Sequence, residues 1–322
     1  MKAIVCEKYG SPHNLKVKEI TKPVPADHQV LVKIHASSLN FGNLVLLKGK
    51  PFPARFAFGL TKPKFPVPGG DIAGTVEAVG KHVMQFREGD DVFGDLSVCG
   101  WGGFAEYAAV PESALALKPD NISFEEAAAS PMAAGTALQG LRDKGKIQPG
   151  QKVLIYGASG GVGTFAVQIA KAFGAEVTGV CSTRNVEILQ TLGADHVMDY
   201  TKEDFTLNEG RYDLILGVNG SNSLSAYKQA LKPHGQFVHV GGSPSQFFQA
   251  LFFGPLISRA GSRKFSHLLQ RANQRDLNEV KELLGTGKVK PVIDKKFALS
   301  EIVEAFEYFG EGHAQGKVVV CI

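Results

Sequence analysis

The chain has 322 residues, of which 44% are apolar and 20% charged, and a formal net charge of +4. These values suit a soluble globular protein of about two domains. The charge is spread out, with no basic block or basic–aromatic interleaving, which argues against a nucleic-acid partner; no apolar run is long enough to span a bilayer.

The elements expected before residue 120 are β-rich. Residues 1–6 read as a first strand rather than a targeting peptide. Strands follow at 30–36, 71–80, 91–94 and 104–110, separated by glycine turns. Short strands with regular turn signals predict a barrel-like β domain. An alanine-rich helix is expected over 124–141.

At residue 152 the pattern changes to KVLIYGASGGVGTFAVQIAKAFGAEVTGVCSTR. This reads strand, glycine turn, helix and strand, the order of a mononucleotide-binding βαβ unit. Gly157, Gly160, Gly161 and Gly163, with Ser159 and Val162 between them, form the turn. They let the backbone approach a pyrophosphate at the helix N-terminus, where free N–H groups and the helix dipole favour negative charge. The spacing is G-x-x-G-G-x-G rather than the common G-x-G-x-x-G.

The end of the second strand selects the cofactor. An NAD site places a carboxylate there for the ribose hydroxyls, whereas an NADP site uses small polar and basic residues. Ser182, Thr183 and Arg184 stand at this point, with no acid among them, so NADPH is expected.

Further strands at 196–200, 213–218 and 236–240 alternate with helices near 186–192 and 223–231, which predicts a doubly wound parallel sheet. Tyr200 ends the third strand. Asn219 follows the fourth, and Gly241 and Gly242 the fifth, where a Cβ would clash with a dinucleotide. A helix near 276–284, residues 288–293, a helix over 300–309 and a strand over 317–321 close the chain.

Four widely separated cysteines, Cys6, Cys99, Cys181 and Cys321, form no C-x-x-C pair. They indicate reduced thiols and a cytoplasmic location. Phe52, Phe56, Phe58 and Phe65 crowd one loop, and Phe247, Phe248, Phe252 and Phe253 another. Such clusters wall an apolar cleft or form a dimer interface.

The ordered set GGDIAGTVEAVG, GDDVFG, GGFAEYAAV, the alanine-rich helix and GASGGVG resembles the medium-chain dehydrogenase/reductase superfamily. Within it, the chain is most similar to the zinc-free quinone oxidoreductase (zeta-crystallin-like) branch. The segment TRNVEILQTLGADHVMDY and the carboxyl-terminal third look like the chloroplast-envelope quinone oxidoreductase homologues. The resemblance covers essentially the whole chain. It implies an α/β protein with a GroES-like β-barrel catalytic domain (1–121 and 264–322) and an inserted doubly wound Rossmann cofactor domain (122–263), with the active site in the cleft between them.

Zinc alcohol dehydrogenases of that superfamily carry a cysteine after the early strand, a Gly-His-Glu before the glycine-bearing strand, and often a four-cysteine lobe. The matching stretches here are Ala36-Ser37-Ser38-Leu39-Asn40 and Gly69-Gly70-Asp71, and the lobe region holds only Cys99. No metal is expected.

The resemblance also implies site residues. Asn40 matches the asparagine that opens an N-P-x-D-like motif, expected to orient the nicotinamide ribose or the substrate carbonyl; Asn43 replaces the motif's aspartate. Lys48, in the same segment, is a candidate for positive charge near the carbonyl. Tyr200 is expected beside the adenosine phosphate, Arg263 and Lys264 reach the cofactor from the hinge, and Lys317 matches a basic residue near it. The implied reaction is NADPH-dependent reduction of small apolar quinones or enones by a homodimer. Its rivals are an enoyl-thioester reductase and a non-catalytic NADPH-binding protein.

Overall fold

In the computed structural model, residues 1–220, 222–241 and 262–322 are described. Strands β1 (Lys2–Cys6) and β2 (Leu15–Glu19) pair antiparallel. The long β3 (Gln29–Ser38) leads into helix α1 (Phe41–Lys48) and the short α2 (Arg55–Phe58). Next come β4 (Asp71–Val79), β5 (Asp91–Asp95), β6 (Tyr107–Pro111) and β7 (Leu115–Leu117).

The alanine-rich stretch does not form the single helix expected. Ser123 caps α3 (Phe124–Ala128), accepting from the Glu126 amide at 3.2 Å while the Glu126 carboxylate accepts from the Ser123 amide at 2.9 Å. This is a capping box. Pro131 then opens α4 (Pro131–Leu138), because proline has no N–H to continue the preceding helix but suits a first helical position.

The second half follows the β–α alternation: β8 (Lys152–Tyr156), α5 (Gly161–Ala172), β9 (Glu176–Cys181), α6 (Val186–Thr191), β10 (His196–Asp199), β11 (Tyr212–Gly217), α7 (Leu224–Ala230), β12 (Leu231–His239) and β13 (Lys264–His267). The strands form a six-stranded sheet in the order β10-β9-β8-β11-β12-β13, every pair parallel. This is the doubly wound order with its crossover beside β8. Leu154, Val180, Ile215 and Phe237 belong to its core.

The chain closes with α8 (Gln274–Gly285), β14 (Ile293–Ala298), α9 (Ile302–Gly310) and β15 (Lys317–Cys321). Strands β14 and β15 join the first half in a seven-stranded sheet ordered β14-β15-β3-β4-β5-β7, with β6 paired to β3. One core of this sheet joins Ile4, Leu39, Phe104, Phe306 and Val318; another joins Val30, Val32, Ile72 and Val92.

The chain divides into two compact units. Unit 1 is Met1–Ala133, Arg271–Thr286 and Pro291–Ile322; unit 2 is Ala134–Gln270 and Gly287–Lys290. Both boundaries differ from those expected at 121/122 and 263/264. Helix α3 packs on β3 and β4, which keeps it in unit 1. Strand β13 pairs with β12, which keeps Lys264 and its neighbours in unit 2.

Candidate active site

The glycine turn lies at the carboxyl end of β8 and opens into α5, whose N-cap Gly160 supplies no side chain to the first N–H groups. Those donors have no partner within the helix itself. A Cβ built on Gly163 would lie 2.2 Å from the Gly157 carbonyl oxygen, so Gly163 permits the turn to close on itself. A Cβ on Gly160 would meet only that oxygen, at 3.7 Å, so Gly160 borders open space. Gly157 has φ +80°, and a Cβ there would be 3.1 Å from the Asn219 amide nitrogen. The turns after β8 and β11 therefore touch. An open glycine cradle at an uncapped helix start fits the pyrophosphate of a dinucleotide.

Two residues that sequence reasoning passed over organise the loop after β9. Asn185 is buried, and its Nδ2 donates to Ser159 Oγ at 2.8 Å and to Ser182 Oγ at 3.2 Å. One amide thus ties the glycine turn to the Ser182 loop. Each serine accepts there, which leaves its own hydroxyl hydrogen to donate elsewhere.

The second residue is Asp199, at the end of β10. Its Oδ2 accepts from Thr183 Oγ1 at 2.6 Å, and its Oδ1 from the Thr201 amide at 3.0 Å and the Thr201 hydroxyl at 2.7 Å. Lys202 Nζ pairs with it at 3.4 Å. The Thr183 hydroxyl, foremost among these donors, holds Asp199 at about 2. Sequence spacing placed no acid beside Thr183; strand pairing does, because Asp199 sits level with Cys181 across β9 and β10. Arg184 is exposed on the same loop.

Other expected cofactor residues divide by their end of the sheet. Tyr200 is exposed just beyond β10, and its amide donates to the Cys181 carbonyl at 3.0 Å. A Cβ on Gly241 would lie 2.8 Å from the Val218 carbonyl oxygen, so the turns after β11 and β12 also meet at the carboxyl edge. Gly242 and the cluster Phe247, Phe248, Phe252 and Phe253 lie outside the described residues.

Arg263 and Lys264 are corrected by the sheet. Strand β13 runs parallel to β12, so its start lies at the amino edge. Arg263 Nε donates to the carbonyl of Leu231, the first residue of β12, at 2.9 Å. Both residues are therefore opposite the edge that carries the glycine turn, where open parallel sheets bind their ligands.

Unit 1 holds a buried charged network. Lys317, Asp71 and Asn40 are 2%, 0% and 8% exposed. Lys317 Nζ donates to Asn40 Oδ1 at 2.5 Å and to the Leu39 carbonyl at 2.9 Å, and lies 3.6 Å from Asp71 Oδ2. Asn40 Nδ2 and Ser38 Oγ donate to Asp71 Oδ2 at 2.8 and 2.9 Å, and the Met132 amide donates to Asp71 Oδ1 at 3.0 Å. Burial pushes the Asp71 carboxyl up and the Lys317 ammonium down. Their attraction and the donated hydrogen bonds oppose both shifts.

Lys317, expected as a cofactor contact, is held here by partners within unit 1. Its ammonium is engaged on three sides inside unit 1. Asn40 starts α1, and its amide nitrogen donates to Asn43 Oδ1 at 2.8 Å. Its side chain is locked by Lys317 and Asp71, leaving its second Nδ2 hydrogen outside the network. Lys48 is exposed at the far end of α1, roughly 12 Å along an eight-residue helix. The fold does not bring it to Asn40.

Gly70 stands where the resemblance implies the histidine of the zinc enzymes. A Cβ there would lie 3.1 Å from Met132 Cε and 3.2 Å from Trp101 Cζ3. Trp101, the chain's single tryptophan, also closes on Gly42 and meets the Phe58 ring at 6.0 Å. Cys99 is a neutral thiol, pushed up to about 11 by burial and by Asp95. Among the described residues no group of three or more His, Cys, Asp or Glu could hold a metal. Phe52 and Phe56 meet edge to face and are 62% and 75% exposed.

A doubly wound sheet with a glycine cradle in one unit, and a β-rich second unit that takes in β15, is an architecture that fits a dinucleotide-dependent oxidoreductase. The comparisons agree. The alcohol dehydrogenase GroES-like domain matches residues 26–120, and the zinc-binding dehydrogenase family matches 192–320. The 2-methylene-furan-3-one reductase of Solanum lycopersicum is 37% identical over 99% of this chain and 79% of its own length. The chloroplast envelope quinone oxidoreductase homolog of Arabidopsis thaliana is 34% identical over 99% and 98%. The structure of the quinone oxidoreductase from Coxiella burnetii superposes with a TM-score of 0.88 at 31% identity, covering 100% of this chain and 99% of that one.

The chain belongs to the medium-chain dehydrogenase/reductase superfamily, in its quinone oxidoreductase branch. It is an oxidoreductase with a nicotinamide cofactor site, as the resemblance implied.

Proposed function

We propose that the protein reduces small apolar quinones or α,β-unsaturated ketones and aldehydes with NADPH, without a catalytic metal. The observation that carries the cofactor choice is the loop after β9. Ser182 Oγ accepts from Asn185, so its hydroxyl hydrogen is left to donate to an incoming group, close in the chain to Arg184. A 2′-phosphate takes both a hydroxyl donor and a guanidinium. Asp199 is no substitute for the ribose-binding acid of NAD sites, because its oxygens are already used by Thr183, Thr201 and Lys202.

The substrate class follows the similarity to a 2-methylene-furan-3-one reductase and to quinone oxidoreductases. Reduced nicotinamide supplies a hydride when bound, and a conjugated carbonyl disperses the resulting negative charge itself. Gly70 in place of a ligand histidine, closed over by Trp101 and Met132, supports metal independence. Asn40 orients the reacting groups through its remaining amide hydrogen, held still by Lys317 and Asp71. Ser159, Ser182, the α5 N-terminus, Tyr200, Asn219 and Gly241 hold the cofactor.

The test is a panel of NADPH-oxidation assays on quinones, enones, enoyl thioesters and saturated alcohols with NADP⁺. Turnover of quinones or enones above the rest supports the proposal. A preference for enoyl thioesters or simple alcohols overturns it. We place the active form in the cytoplasm as a homodimer, to be checked by fractionation and by sedimentation.

A further inference from the structure

We propose that Asp199 restrains the discrimination between NADPH and NADH by consuming the hydroxyl hydrogen that Thr183 would otherwise offer to the 2′-phosphate. This rests on the reading of residues 182–184 as the 2′-phosphate site.

A threonine hydroxyl has a single hydrogen. Thr183 Oγ1 is 2.6 Å from Asp199 Oδ2, and an ionised carboxylate only accepts, so that hydrogen points to Asp199. The Thr201 hydroxyl spends its hydrogen on Asp199 Oδ1 at 2.7 Å. The contact between the two threonine oxygens, at 3.1 Å, therefore frees neither hydrogen. Ser182 is the opposite case, since it accepts from Asn185. Two adjacent hydroxyls are thus set in opposite senses, Ser182 as a donor to an incoming anion and Thr183 with its lone pairs outward.

The same geometry fixes what an amide at this position does. Asp199 Oδ1 receives two donors from Thr201, so the carbonyl oxygen of Asp199→Asn belongs there. Its NH₂ then faces Thr183 Oγ1 and donates to it. Thr183 becomes an acceptor like Ser182, and its hydrogen is released. Lys202 pairs with the same Oδ2 at 3.4 Å and turns to solvent when that atom becomes NH₂. The lost Asp199 charge also favours an anion, and adding Thr183→Val separates that effect from the hydroxyl reversal.

The experiment measures NADPH and NADH binding to the cofactor-free protein by nucleotide fluorescence, without turnover. Asp199→Asn is expected to tighten NADPH about tenfold, the lower end of what one charge-assisted hydrogen bond contributes, and to leave NADH within about twofold. Adding Thr183→Val to that variant should remove most of the gain. Unchanged or weaker NADPH binding in Asp199→Asn overturns the proposal, as does a gain that survives intact in the double variant.

Should Asp199→Asn fail to fold cooperatively, Thr183→Val alone decides. With its hydrogen already committed, NADPH affinity should fall by less than about threefold, and a loss of about tenfold overturns the proposal. If the unaltered protein binds NADH and NADPH equally and Arg184→Ala weakens both alike, the 2′-phosphate reading itself has failed and this inference goes with it.

Discussion

The Lys317 ammonium lies 2.5 Å from Oδ1 of Asn40, joining the last strand of the chain to the N-cap of its first helix. Neither residue could satisfy itself alone. A buried ammonium needs an anion and acceptors, and Asp71, Asn40 and the Leu39 carbonyl provide them. A buried amide whose carbonyl faces a cation and whose NH₂ faces a carboxylate has one orientation.

Lys317→Met should leave Asp71 buried and unpaired. The expected cost is about 3–5 kcal/mol of unfolding free energy, read by urea denaturation. Pairing it with Asp71→Asn should restore part of that loss. NADPH affinity of the folded fraction should be unchanged. A specific loss of NADPH binding with full stability would return Lys317 to the cofactor.

Asn40→Ala should lower kcat on enones or quinones about tenfold or more, with less than about threefold change in NADPH affinity. It also removes a partner from Lys317 and from Asp71, so a lower Tm accompanies it. Product from an enone reduced with NADPH deuterated at the nicotinamide C4 should carry the label at the β-carbon. Label found elsewhere rejects hydride delivery to the β-carbon, and kcat untouched in Asn40→Ala rejects the role of Asn40.

Two glycines of one turn should fail in different ways. Gly160 borders open space, so Gly160→Val should keep the fold and lose dinucleotide binding. Gly163→Ala places a Cβ 2.2 Å from the Gly157 carbonyl oxygen, so it should lower Tm as well as affinity. Isothermal titration beside thermal unfolding separates the two. Full NADPH affinity in Gly160→Val places the phosphates elsewhere.

Arg184→Ala should weaken NADPH by about 1.5–3 kcal/mol and NADH far less. Asn185→Ala should weaken both cofactors, because it releases Ser159 in the glycine turn together with Ser182. Equal losses for the two cofactors in Arg184→Ala would show that this arginine does not read the 2′-phosphate.

Activity should survive exhaustive chelation, and elemental analysis should find no stoichiometric zinc. Gly70→His should not create a metal site, because Met132 and Trp101 stand 3.1 and 3.2 Å from its Cβ. Zinc-restored activity after chelation is the outcome that contradicts this.

The sequence by itself determined the sheet, the glycine turn, the loop after β9 and the family. Each is written in local signals: alternating apolar residues, glycines at a strand–helix junction, polar residues at a strand end. Roles implied by resemblance are a poorer guide where strand direction or partners matter. Arg263 and Lys264 are close to the cofactor segment in sequence, yet parallel pairing puts them at the opposite edge of the sheet. Lys317 matches a basic residue near the cofactor, and only the closing of β15 onto β3 buries it beside residues almost the whole chain away. Asn185 and Asp199 carry no motif. Tertiary structure decided their roles because a hydrogen bond depends on which atoms face each other across neighbouring strands and turns, and no periodicity along the chain records that.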